Sequence, residues 1–305
     1  MDISIIIVNY NTRRVTQNCL NSIYEHTNGI SFEVIVVDNN SQRDDSKKYL
    51  KEDNRIIFIE NQENIGFGKA NNLGYQFAKG KYIFLLNSDT ILLNNAVKIF
   101  FNKMEELSAE VFCIGTRLKS PELSYNHSFG KFPSLKSTLI DVFKLYLKLF
   151  KIKYNYFDER KYDQLEQFEV DYIMGADLFI RKALVDKYGL FDPDFFMYFE
   201  ESELQFRYRN EGFKSMIVSG PEIIHLESIS FNMKEKYSYF QRRIFFRSMF
   251  LYMKKRYCFF VYFCFRIIYL FNFPIFLLPY YTFKEKIGLI RMLFLPITPQ
   301  NSNFI

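Results

Sequence analysis

Asn11, Asp38 and Asp89 each stand within a few residues of the end of an apolar run, Ile3–Val8, Phe32–Val37 and Tyr82–Leu86 respectively. Two acids among several amides suit nucleotide binding, yet the common phosphate cradles are missing: no GxGxxG follows the first run and no GxxxxGK[ST] occurs anywhere. Phosphate charge must then be neutralised another way, and a divalent cation held by a carboxylate is the natural candidate. Further along, Glu200-Glu201-Ser202-Glu203 opens a helical pattern behind the aromatic run FFMYF. Three acids in a first turn complement the helix dipole, which is the ordinary reading of such a cluster. The aromatic approach adds partial desolvation, which lifts a carboxyl toward the range of a useful base. Glu200 and Glu203 share a face and Glu201 points elsewhere. His225, in EIIHLES, follows an apolar strand, where a lone histidine is a packed residue as readily as a ligand; His26 and His127 lack even that context. No Ser or Cys nucleophile has an evident base partner.

The elements that carry these groups are legible in the hydropathy. The three runs, with Arg55–Ile59, have the pattern of strands buried on both faces. Thr12–His26 sets Val15, Cys19, Leu20 and Ile23 on one helical face, and Lys69–Ala78 reads as a second helix. Strand, polar loop and helix in repetition predict a mostly parallel α/β sheet covered by helices, with functional groups gathered beyond the strands' carboxyl ends. Residues 119–169 are less regular, with Leu135–Ile152 a Leu/Phe/Lys helix; order returns from Val170.

Composition narrows the class. At 49% hydrophobic and 24% charged, the 305 residues are neither disordered nor collagen-like. Cys19, Cys113, Cys258 and Cys264 form no CxxC or Cys/His cluster, which excludes a disulfide scaffold or structural zinc site and suits a reducing cytoplasm. The opening MDISIIIVNYN offers no small-residue cleavage site and argues against an export signal. The net charge of +6 is uneven: residues 231–305 carry twelve Lys/Arg against two acids, leaving the first 230 residues at −4. Such a basic, aromatic tail suits anionic lipid, nucleic acid or a phosphate-bearing substrate. Between Cys258 and Thr282 the only charge is Arg266, a length that suits a membrane span, but Pro274, Pro279 and basic flanks on both sides favour a segment lying in the interface. Arg243, Arg247 and Lys254 lie on one side of a helix beside the stripe Tyr239/Phe246/Phe250/Met253, read as cations facing lipid phosphates. The alternative is an ordinary core stripe under a solvated basic face. Nucleic acid is disfavoured, because the aromatics form apolar runs, not isolated stacking positions.

Taken together, SIIIVNYNT (4–12), VVDNNS (36–41), NIGFGKANNLG (64–74), LLNSDT (85–90), MGADLFIRK (174–182) and GLFDPDFFMYFEESEL (189–204) resemble the glycosyltransferases of family 2, with the GT-A fold. Within that family they are similar to bacterial rhamnosyltransferase-like enzymes of surface polysaccharide synthesis. The resemblance implies a catalytic domain at 1–230 with a nucleotide-sugar half (1–118), an irregular helical insertion (119–169) and an acceptor half (170–230), followed by a basic aromatic, membrane-associated region at 231–305. It implies that Tyr10 and Asn11 lie along the nucleotide, that Asp38 accepts from the base, and that Asn40, Asn64, Gly66, Asn72, Asn87 and Ser88 belong to the nucleotide-sugar site. Asp89 would hold Mg²⁺ or Mn²⁺, with Asn87 standing where the motif often has an acid and His225 as a second metal or diphosphate contact. Glu201 falls at the position of the base, where many relatives carry Asp, with Glu203 as the acceptor-side alternative.

The activity so implied is inverting, metal-dependent transfer of a sugar from a UDP or dTDP donor, dTDP-rhamnose among the candidates, to a lipid-linked acceptor at the cytoplasmic membrane face. Two rivals are a nucleotidyltransferase, which would normally carry a Gly-rich basic loop where this chain reads NYNTRR, and a non-enzymatic subunit that binds sugar nucleotides or scaffolds a membrane complex.

Overall fold

In the computed structural model, the residues described are 1–140, 143, 162, 164–226, 239–270, 282–292 and 294. An eight-stranded mixed sheet runs in the order β3-β2-β1-β4-β10-β6-β11-β8. Its strands are β1 (Ile3–Asn9), β2 (Phe32–Asp38), β3 (Ile57–Glu60), β4 (Tyr82–Leu86), β6 (Val111–Gly115), β8 (Gln167–Val170), β10 (Asp177–Arg181) and β11 (Lys214–Val218). The first four pair in parallel, as their continuous apolar runs require. β10 is antiparallel to both β4 and β6, so it enters the sheet in reverse and its first residues lie at the end of β4.

Alternation along β1 separates two cores. Ile3, Ile5 and Ile7 pack with α1 (Arg13–His26) and α4 (Ala96–Glu106), whereas Ile6 packs on the other face with α3 (Phe67–Tyr75), α6 (Lys182–Tyr188) and α7 (Glu200–Asn210). The remaining short elements are α2 (Ser46–Glu52), a helical stretch α5 at 135–140, and the ribbons β5 (Thr90–Leu92) with β12 (Ile223–His225) and β7 (Phe129–Gly130) with β9 (Tyr172–Ile173). Of the helix expected at Leu135–Ile152, residues 144–152 lie outside the described ones, as do the proposed boundary at 230 and the prolines at 274 and 279.

A third core corrects the reading of the tail. In α8 (Tyr239–Arg256), Phe246, Phe250 and Met253 are buried, packed with Phe195, with Tyr262, Phe265 and Tyr269 of α9 (Phe259–Leu270), and with Leu289 of α10 (Phe283–Met292). The stripe expected to face lipid is mostly interior, because the aromatic turn ahead of α7 offers an apolar surface to cover. Arg266 donates to the Met292 carbonyl at 2.9 Å, tying α9 to α10. No described helix is long and apolar enough to cross a membrane.

Candidate functional site

Four loops meet beyond the carboxyl ends of β1, β2 and β4. Asn9, the last residue of β1, is buried and donates from Nδ2 to Asp38 Oδ1 (2.7 Å) and Ser41 Oγ (3.0 Å) while accepting from Thr12 and Thr16 hydroxyls. Asp38, fully buried, also accepts from Ser41 N (2.9 Å) and Ser41 Oγ (2.6 Å). Its carboxylate is thus turned inward on its own loop. These bonds make Asp38 a builder of the turn. Asn11, at φ +55°, accepts from the backbone N–H of Gln42 and Arg43 (2.8 Å each), leaving Tyr10 exposed at the rim. Asn40, also in the left-handed region, accepts from the Gln42 side chain and from Lys47 Nζ (3.1 Å).

Asn39 connects this turn to the next. It donates to Asn64 Oδ1 (2.8 Å) and to the Gly66 carbonyl, and accepts from Ile65 N and Asn61 Nδ2. Gly66 has φ +86°, and a Cβ there would overlap the Phe196 carbonyl, so only glycine lets the loop ahead of α3 meet the aromatic turn. Phe67 N then donates to the Phe196 carbonyl at 2.7 Å. Asn72 lies behind this junction, with both ends of its amide bonded to the Phe191 backbone (2.7 and 3.0 Å). It thus clamps α3 to the turn.

The third loop carries Asn87-Ser88-Asp89. Thr12 Oγ1 and Ser88 Oγ lie 3.4 Å apart, joining it to the first. In the β5–β12 ribbon His225 stands opposite Thr90, and Leu226 N donates to the Asp89 carbonyl (2.9 Å). His225 Nε2 thereby lies 3.3 Å from Asp89 Oδ1 and 3.4 Å from Asn87 Nδ2, with both His225 and Asp89 nearly buried. Among the described residues no three His, Cys, Asp or Glu gather around one point. One carboxylate and one imidazole, joined by diphosphate oxygens and water, nevertheless fit Mg²⁺ or Mn²⁺, which keep several non-protein ligands.

The fourth loop brings the acids. Tyr198 and Phe199, at φ +69° and +68°, are consecutive left-handed residues immediately before Glu200. Each such conformation costs roughly 1–3 kcal/mol and persists only where packing enforces it. Here Ser248 Oγ of α8 donates to the Met197 carbonyl at 2.7 Å, and Phe199 packs on Phe245 and Tyr252. Burial pushes the Glu201 carboxyl above the ordinary range, with hydrogen bonds at the helix start opposing. Glu200 is held well above it, by burial first and the neighbouring Glu201 charge second. Glu203 is lifted by burial, but it is an ion-pair partner of Arg207 (3.1 Å), which also donates to the Leu190 carbonyl. Glu203 thus also fixes the turn through Arg207.

Gly175 and Ala176 join the two sides. Asn87 N donates to the Ala176 carbonyl at 3.0 Å, and a Cβ placed on Gly175 would lie 3.8 Å from Glu201 Cβ and 3.7 Å from Phe67 Cε1. Two residues of backbone therefore separate the Asn87-Ser88-Asp89 loop from the desolvated carboxylate. The model of glycosyl transferase family 2 matches residues 4–189, more than half of the chain. The chain belongs to that family.

GlyG, a glycosyltransferase of Streptococcus pneumoniae, is 29% identical over 112 residues, covering 36% of this chain and 37% of GlyG, so the match spans little more than a third of that relative. Among solved structures, GalNAc-T7 with UDP, GalNAc and Mn²⁺ aligns with a TM-score of 0.57 at 15% identity, over 74% of this chain and 43% of that one. The mannosyltransferase PcManGT of Pyrobaculum calidifontis, in complex with GDP-Man and Mn²⁺, aligns at 0.54 and 14% identity, over 83% and 63%. At these identities they establish the GT-A fold. The family match ends before α7, so geometry carries the case for Glu201.

Sequence reasoning missed Asn9, Asn39, Asn61 and Ser248. The first three sit in polar runs whose readable signal was composition alone, and Ser248 stands in a helix whose partner surface lies fifty residues upstream.

Proposed function

We propose that this glycosyltransferase inverts the anomeric carbon of a UDP- or dTDP-linked hexose, dTDP-rhamnose among the candidates, as it passes the sugar to a lipid-linked acceptor of surface polysaccharide synthesis. The observation that carries the reading is the close approach of Glu201 and the Asn87-Ser88-Asp89 loop across Gly175-Ala176. Glu201 takes the proton of an acceptor hydroxyl; that oxygen bonds to the anomeric carbon as the bond to the diphosphate oxygen breaks on the opposite face. The raised carboxyl keeps enough basicity to accept a proton near neutrality, and the aromatic turn limits water around it. Asp89 and His225, with Asn87 beside them, would hold a divalent cation, which when bound offsets the charge of the leaving diphosphate. Tyr10, exposed at the rim, is left to meet the nucleotide.

The acceptor side of the reading rests on α9. Phe259, Phe260, Phe263 and Ile267 line its uncovered face, the first two 80% and 72% exposed. Large uncovered aromatics beside a strongly basic tail favour peripheral attachment at an anionic membrane surface, the cytoplasmic face. Arg243, Arg247 and Lys254 contribute to that charge.

Thermal unfolding with a panel of nucleotides tests the donor side, since a ligand that binds only the native state raises the midpoint. UDP or dTDP should raise it with Mn²⁺ or Mg²⁺, more than GDP or ADP, and both EDTA and Asp89→Ala should remove the rise. No rise with any nucleotide would leave the scaffold reading in its place.

A further inference from the structure

Between the first turn of α8 and one face of α10 lies an open groove of about 540 Å³, lined by Tyr239, Phe283, Lys284, Ile287, Gly288 and Arg291. The α10 residues fall at i, i+1, i+4, i+5 and i+8, so they form a single stripe along the helix. Gly288 is the point of closest approach, where a Cβ would collide with Tyr239 Oη; without side-chain bulk there, the phenol lies across the helix and makes a flat apolar wall. The Arg243 guanidinium sits 5.6 Å from the centre of the Tyr239 ring. Lys284 and Arg291 stand exposed at the rim, Phe283 is 79% exposed beside them, and among the described residues no acid lines the groove.

We propose that this groove binds the phosphate headgroup of a membrane lipid, with the first apolar segment of that lipid laid over Phe283 and Ile287. Charge complementarity selects the phosphate. The apolar wall selects a lipid over a free anion, which two solvated cations on an open surface would hold only weakly. An amphiphile gains at both ends, from cations near its phosphate and from aromatic area removed from water. The position suits an acceptor as well. Ser248, which braces the turn before Glu200, lies nine residues along α8 from Tyr239, about 14 Å at the helical rise per residue. One helix thus connects the groove to the carboxylate. The inference deepens the proposed function and rests on its membrane-bound acceptor.

The test is sedimentation of the full chain with phosphatidylcholine vesicles, with and without phosphatidylglycerol. The wild type should partition onto the anionic vesicles. Lys284→Gln/Arg291→Gln should weaken that partition at least tenfold, and Phe283→Ser, which leaves the charge unchanged, several-fold. Lys48→Gln/Lys51→Gln on α2 removes the same charge elsewhere and should change it less than twofold. Equal losses in the two double variants, or no binding by the wild type, would overturn the proposal. So would a rise in midpoint with inorganic phosphate alone that vanishes in the groove variant, since the groove would then serve a free anion. Unfolding midpoints with UDP and Mn²⁺, measured on the same variants, should match the wild type. A wild type that ignores nucleotide yet needs the groove for vesicles would sink the transferase reading and leave the groove standing.

Discussion

The two sides of the site handle polar groups in opposite ways. On the donor side, around Asn9, Asp38, Asn39 and Asn64, side-chain amides, hydroxyls and the Asp38 carboxylate bond to one another and to nearby backbone. On the acceptor side, α7 opens with carboxyls raised by burial, behind two left-handed residues that packing must hold. A satisfied network is rigid, and suits loops that must present backbone and rim groups to a bound nucleotide. A desolvated, braced carboxylate is a poor stabiliser and a better base. The contrast separates residues bonded into the site from the carboxylate proposed to act in it.

The sharpest way to test that separation is Glu201→Gln. It keeps shape and burial but removes the proton acceptor, so turnover should fall by roughly 10²–10⁴-fold while the nucleotide-induced rise in unfolding midpoint stays as in the wild type. The pH profile gives a second reading. The base works only when ionised and its carboxyl is raised, so the acid limb of kcat should lie above the ordinary glutamate value of 4.5 and activity should rise with pH through it. The limb belongs to the Glu200–Glu201 pair as a unit. Full activity in the Gln variant would remove Glu201 from the role.

On the donor side the expected loss is of stability. Asp38→Ala strips acceptors from Asn9 Nδ2, Ser41 N and Ser41 Oγ, all in buried residues, and should cost about 3 kcal/mol in urea unfolding. A variant that keeps wild-type stability but loses its response to nucleotide would mean that Asp38 faces the base after all, and the comparison would break on this side.

Ser248→Ala probes the brace. Losing its bond to the Met197 carbonyl should cost about 1 kcal/mol of stability. Relaxation of Tyr198 and Phe199 should also move Glu201, so kcat should fall about tenfold, by the sensitivity of proton transfer to position, with the donor KM within twofold. A fall in unfolding midpoint with kcat unchanged would reduce Ser248 to packing.

Much of this architecture was legible before the fold was seen, and unevenly so. The runs ending at Asn9, Asp38 and Leu86 announce themselves as buried strands, since a half-exposed strand alternates and does not carry four or five consecutive apolar residues. The acidic helix start at Glu200 was legible too, although helix-dipole complementation is its ordinary reading and only the aromatic run before it pointed to desolvation. Hydrogen-bond allegiance was not legible: Asp38, Asn72 and Glu203 have the right type and spacing for ligand contact, and only the fold shows the bonds they make within the protein. The α8 stripe failed for a related reason. A helix that packs on several sides has the same apolar content as one that lies in a membrane interface, and only the aromatic turn at Phe195–Phe199 decides between them.

The smallest effect expected lies beneath both sides, at Asp177. Its Oδ2 accepts from Thr116 N at 2.6 Å, Oδ1 has no partner, and burial holds the carboxyl well above the ordinary value of 3.8. A raised folded value means that the folded chain binds the proton more tightly than the unfolded one. The stability that follows is fully present below the unfolded value and is lost as pH rises through the folded one. Asp177→Asn mimics the protonated form, keeping an acceptor for Thr116 without the ionisable group. It should therefore match the wild type in stability at pH 3 and exceed it progressively above pH 4, by about 1 kcal/mol or more at neutral pH. Urea unfolding across that range reads the difference directly. A variant less stable than the wild type at pH 8 would show that the ionised carboxylate is bonded within the fold. Asp177 would then belong with the satisfied acids of the donor side, and Gly175-Ala176, two residues before it, would stand on a rigid base with no buried acid left to titrate.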